Sequence, residues 1–250
     1  MKTPKTLIIW LTCLLSVCFA GSLEAQSTGP FTITKYEKII PAYKNQPNSE
    51  EKMEITLSLA DSKQAKLSKL LSTLLYKGQT SKKYSDEVIK KYESQYLEEA
   101  EEMPPWALQQ EYGEYHRVTV NGSYAVITRT ISAYFGGAHP NTVITYFVID
   151  TKTPALLSIN DLITQAGFPG LKSIAERKLI AYGEEIEENI NTSNLKMDNY
   201  YPDTQGLVFF WDPYELSSYA VGQIDIIITW NEAEAFLTTA GKKLSAVYRK

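Results

Sequence analysis

Apolar and polar residues alternate with a period of two over Lys52–Leu59, which puts Met53, Ile55, Leu57 and Leu59 on one side and predicts a half-buried strand. A further β-rich segment, Thr28–Ile40, opens with Phe31-Thr32-Ile33-Thr34-Lys35-Tyr36, and Pro41–Ser49, rich in proline and asparagine, separates the two as a loop. The period then lengthens. Leu67, Leu70, Leu71, Leu74 and Leu75 form the apolar stripe of a helix that begins at Asp61, placed at the N-cap, and ends near Gly78. A second helix starts after Ser81, where Tyr84, Val88, Tyr92, Tyr96 and Ala100 recur every four residues until Pro104-Pro105 stops it.

Beyond that point the strands return. Asn121-Gly122, the preferred pair for a type I′ turn, predicts a hairpin between Tyr115–Val120 and Ser123–Tyr134, and Thr142–Asp150 adds a third strand to an antiparallel meander. Leu171, Ile174, Ala175, Leu179, Tyr182 and Ile186 mark one face of a helix over Leu171–Ile190 that should pack on the sheet. Leu207–Trp211 and Gln223–Trp230 are two more strands, the last with Ile224, Ile226, Ile228 and Trp230 on one face. The expected fold class is therefore α+β: an antiparallel sheet with helices on one face, in two closely packed parts, residues 26–110 and residues 111–250.

Residues 1–25 read as an export signal. Lys2 and Lys5 precede an apolar run of 14 residues, Leu7–Ala20, and Leu23-Glu24-Ala25 forms a small-residue cleavage site. That run falls short of the roughly 18 residues a membrane-spanning helix needs. The expected location is exported, periplasmic or at the cell surface, with lipidation at Cys18 as the competing reading and the one route to a membrane. Cys13 and Cys18 are the only cysteines, so cleavage near Ala25 leaves neither a disulfide nor a thiolate site. Removal of the signal also leaves 23 basic and 28 acidic residues, a formal charge of −5, which argues against a nucleic-acid partner. The acidic runs Glu98-Glu99 with Glu101-Glu102 and Glu184-Glu185 with Glu187-Glu188 are read as solvated helix faces.

Two signatures stand apart from the core pattern: Gly136-Gly137-Ala138-His139-Pro140-Asn141, and Trp211-Asp212-Pro213-Tyr214-Glu215-Leu216-Ser217-Ser218-Tyr219-Ala220-Val221-Gly222. In the first, glycines permit positive φ and Pro140 fixes the exit, so Gly137, His139 and Asn141 are held on a shaped loop. In the second, Pro213, Tyr214 and Tyr219 lie in a bent segment, and tyrosines that reach solvent make strong interface anchors. Trp211 is assigned to the core. These six residues are the candidate ligand-binding set. Catalytic chemistry has little support: His116 and His139 are the only histidines, and neither a nucleophile elbow nor a phosphate-cradling loop occurs. No catalytic residue, metal or cofactor is expected. A pair of carboxylates acting on a glycan stays open as an alternative.

Gly136-Gly137-Ala138-His139, followed by Tyr146-Phe147-Val148-Ile149-Asp150 and Leu157-Ser158-Ile159-Asn160-Asp161-Leu162, resembles the exported domain of unknown function in lysozyme-sensing anti-sigma-V factors. Trp211–Gly222 fits that domain's second signature, and the likeness covers roughly residues 113–237. The helical region before it resembles the companion domain found in those proteins and in some peptidoglycan deacetylases. The resemblance implies a noncatalytic binding module of the envelope, with a lysozyme-like muramidase or peptidoglycan as partner. The alternative it implies is a glycan-processing hydrolase or a deacetylase-associated peptidoglycan-binding domain.

Overall fold

A computed structural model describes residues 29–43 and 49–249; the expected export signal, Cys13, Cys18 and most of the Pro41–Ser49 loop lie outside them. The chain forms β1 (Phe31–Pro41), β2 (Lys52–Ser62), α1 (Ala65–Leu75), α2 (Ser81–Glu99), β3 (Gln110–Asn121), β4 (Tyr124–Tyr134), β5 (Asn141–Asp150) and β6 (Ala155–Leu157). There follow α3 (Ile159–Leu162), α4 (Phe168–Ile186), β7 (Tyr200–Pro202), β8 (Gly206–Trp211), β9 (Ile224–Thr229), α5 (Trp230–Ala233) and α6 (Thr239–Tyr248). The α+β class holds, and the strands are distributed over two sheets: β1 to β6 in sequence order, and β7-β8-β9.

Neighbouring strands are antiparallel except β2 and β3, which run parallel. A parallel pair needs a long crossover, and α1 with α2 supplies it. Leu67, Leu71 and Leu75 of α1 and Tyr84 and Tyr96 of α2 pack with Met53, Ile55, Leu57 and Leu59 of β2 in one core. Each of those leucines contributes roughly 2 kcal/mol by burial. The sheet passes without interruption through residues 110 and 111.

The second core gathers α4, α6, β8 and β9, and takes Tyr124 and Val148 from the first sheet. Their chain neighbours Ala125 and Ile149 belong to the first core. Successive strand residues point to opposite faces, so β4 and β5 are covered on both sides there. This explains the continuous buried run Tyr124–Ile127.

Two local expectations are corrected. Asp61 is not an N-cap, because β2 continues to Ser62 and Gln64 occupies the cap of α1. Its carboxylate accepts instead from the Ser68 and Ser81 hydroxyls, at 3.1 and 3.0 Å, and ties the starts of both helices to β2. The hairpin loop is Gly122-Ser123, one residue later than expected, since Asn121 still pairs with Tyr124. Gly122 has φ +58° and Ser123, the second central residue, does not share the left-handed region, which matches glycine at the first central position of a type II′ turn.

Candidate functional site

The meander brings the glycine-rich loop to the turn between β4 and β5, and β8 ends at the start of the tyrosine-bearing loop. The two loops meet. The His139 ring stacks on Tyr219 with centroids 3.9 Å apart and planes 19° from parallel, and Tyr214 lies 5.5 Å beyond Tyr219. His139 Nδ1–H donates to the Pro140 carbonyl at 3.0 Å, and the Tyr219 hydroxyl donates to the same oxygen at 3.4 Å. Pro140 thus serves as a shared anchor for both rings.

Backbone requirements hold each loop. Gly136 has φ +75°, and a Cβ there would come within 2.7 Å of Ala107 Cα, so only glycine fits. The strip against which it packs, a short 3-10 turn over Pro105–Ala107, carries Trp106, 71% exposed. Phe135, next to Gly136, is also exposed and stacks on Tyr92 at 5.8 Å. Tyr214 adopts φ +73° and is 65% exposed. A bulky side chain is rarely found in the left-handed region, and the usual gain from burial does not offset the strain here.

The second loop is fastened to the outer side of β5. β6 covers only Val148–Asp150, so β5 needs other partners for its remaining backbone groups. The Asp212 carboxylate accepts the Ile144 N–H at 3.1 and 3.2 Å, while Asn199 accepts the Tyr146 N–H at 3.0 Å and donates to the Ile144 carbonyl at 2.8 Å. The Asn199 carboxamide stands where a neighbouring strand would offer a peptide group. Burial pushes the Asp212 carboxyl up, the bond from Ile144 opposes this, and nearby Glu215 adds to the rise. Both Asp212 oxygens are engaged by one backbone donor, an assignment to positioning rather than proton transfer.

Of the six candidate residues, His139, Tyr214 and Tyr219 form the stacked group, and Pro213 precedes Tyr214 in the same turn. Gly137 is exposed in the glycine-rich loop, where a Cβ would meet nothing within 4 Å. Asn141 is exposed at the first position of β5, opposite Ala133. Trp211 is buried, and its indole N–H donates to the Lys196 carbonyl at 2.8 Å. Trp106 and Phe135 escaped the sequence reading; a tryptophan directly after Pro104-Pro105, outside any periodic stripe, was the signal for the first.

The other histidine belongs to a different cluster. His116 and Glu114 alternate inward from β3, where Glu114 is 0% exposed. Glu114 accepts from His116 Nε2 at 3.0 Å, Arg129 Nε at 2.8 Å and the Tyr84 hydroxyl at 2.8 Å. The Ala60 N–H donates to His116 Nδ1 at 3.1 Å, which leaves the ring proton on Nε2, facing Glu114. Burial alone would raise the Glu114 carboxyl, but the bonds from His116 and Arg129 and the Arg129 charge outweigh it and hold it at about 2. Among the described residues, no three or more His, Cys, Asp or Glu side chains gather as a metal site would require.

Residues 158–231 match the family described as protein of unknown function (DUF3298), so a domain of that family is present. The match takes in the tyrosine-bearing loop and leaves out the glycine-rich one. No curated protein matches the chain. A crystal structure of a DUF3298 family member from Bacteroides fragilis is similar with a TM-score of 0.70 and 20% identity, covering 88% of this chain and 97% of that one. A DUF3298 family protein from Pseudomonas aeruginosa is similar at 0.60 and 13% identity, with 84% and 94% covered. At these identities the likeness is one of fold.

Proposed function

We propose that this chain, with its domain of a family of unknown function, is a noncatalytic recognition module of the cell envelope. The surface formed by Gly136–Asn141 and Trp211–Gly222 contacts the ligand. The observation that carries this reading is the His139–Tyr219 stack, which joins two loops 80 residues apart in sequence and sets exposed, strained Tyr214 beside it. Rings held on fixed backbone lose little entropy on binding, which is the property of a good anchor. The export signal and the resemblance to the anti-sigma-V sensor domain support an envelope ligand, either a lysozyme-like muramidase or peptidoglycan.

Calorimetric titration with several lysozymes and with soluble peptidoglycan fragments tests the proposal. Binding of at least one of them is expected, and Tyr214→Ala or Tyr219→Ala should weaken it by about 2 kcal/mol, roughly thirtyfold in affinity. No heat from any of them at high micromolar concentration, or affinities that both variants leave unchanged, would overturn it.

A further inference from the structure

β1 lies at the edge of the six-stranded sheet. β2 takes one side, and among the described residues no strand pairs with the other. An eleven-residue strand with unpaired N–H and C=O groups is a template for another strand. Edges that must stay single are interrupted by proline or carry repelling charge, but the one proline of β1 is its last residue, Pro41. Its charges also alternate in sign.

The sequence of β1 is self-complementary about Tyr36. When two copies run antiparallel about a twofold axis at Tyr36, Lys35 faces the partner's Glu37, and Ile33 faces the partner's Ile39. Lys35 and Glu37 already pair within the strand at 2.7 Å, with about half of each side chain exposed, so the dimer would arrange four charges of alternating sign. Ile39 is 57% exposed, a large apolar side chain for a lone edge. Moving the axis by one residue along the strand sets Lys35 against the partner's Lys35, or Glu37 against the partner's Glu37. A parallel arrangement in register does both. Like charges directly opposite are destabilising, so the pattern selects one register and one direction.

We propose that β1 is a homodimerisation edge, through which two copies of this chain join their sheets antiparallel about Tyr36. β5 and the two recognition loops lie four strands away, roughly 19 Å across the sheet, and pairing leaves them clear.

Sedimentation velocity of the purified chain over a micromolar concentration series, with thermal unfolding as a control for folding, tests this. The wild type is expected to dimerise. K35E makes positions 35 and 37 both acidic and E37K makes both basic, so each should weaken self-association by about tenfold or more. An equimolar mixture of the two should form heterodimers more than about tenfold tighter than either homodimer, although each chain keeps its internal repulsion. A wild type that stays monomeric, a dimer indifferent to either reversal, or a mixture no tighter than its components would each overturn the proposal.

Discussion

Glu114 offers the sharpest energetic test of the first core. Its carboxyl is held at about 2 against an ordinary 4.5, by donors from His116 and Arg129 that outweigh burial. At 1.36 kcal/mol per pH unit, that difference contributes about 3 kcal/mol to folding. The sign follows from the depressed value. The unfolded chain takes up the proton first, so the contribution is full above pH 4.5 and is lost as the pH falls from there to about 2. Glu114→Gln removes the charge and leaves the Arg129 guanidinium, 23% exposed, without its buried partner. The expected cost at neutral pH is about 3 kcal/mol or more. Urea unfolding followed by tryptophan fluorescence, at steps between pH 7 and pH 2, gives the stability of both proteins. Other carboxylates titrate in both, so the gap between the two curves isolates Glu114. It should close to within about 1 kcal/mol at the acid end. Parallel curves with a constant gap would show that the Glu114 carboxyl is not held low in the folded protein.

Other substitutions separate strain, contact and edge closure. Gly136→Ala meets both φ +75° and the Ala107 backbone and should cost about 2 kcal/mol or more, whereas Gly137→Ala, with open space at its Cβ, should stay within about 0.5 kcal/mol in chemical denaturation. Tyr214→Gly relieves the left-handed backbone, so stability should remain within about 1 kcal/mol of wild type while ligand affinity falls as for Tyr214→Ala. Asn199→Ala should destabilise by about 2 kcal/mol and speed amide exchange at Tyr146, while Asp212→Ala should speed it at Ile144; exchange at both sites unchanged would exclude edge closure by these side chains.

Much of the fold was legible along the chain. The period of two in β2 and the leucine stripe of α1 report burial directly, because one face of each element meets a core over its whole length. Local spacing says little where a residue's partner lies far away. Asp61 has the chemistry of an N-cap, but extended pairing with Thr32 of β1 kept it in a strand, and its carboxylate reached two helices instead. Asn121-Gly122 has the composition of one turn, and the register shared by β3 and β4 chose another. Glu114 and His116 occupy inward positions of β3, yet no local pattern reveals that Arg129 and Tyr84 converge on them.

Local pattern along the chain sufficed for the long strands, for α1, α2 and α4 with their amphipathic faces and for the two loops whose composition fits no core, but it left out the short β6, α3, β7 and α5 and the terminal helix α6. The acidic balance of the chain was equally legible, since it is a simple sum over residues. Tertiary packing is what joins Gly136–Asn141 and Trp211–Gly222 into one surface. That junction depends on how the second sheet seats against β5, through Asn199, Asp212 and the Pro140 carbonyl. Contacts across such separations arise from packing two cores against a shared sheet, and neither hydropathy nor spacing along the chain encodes them.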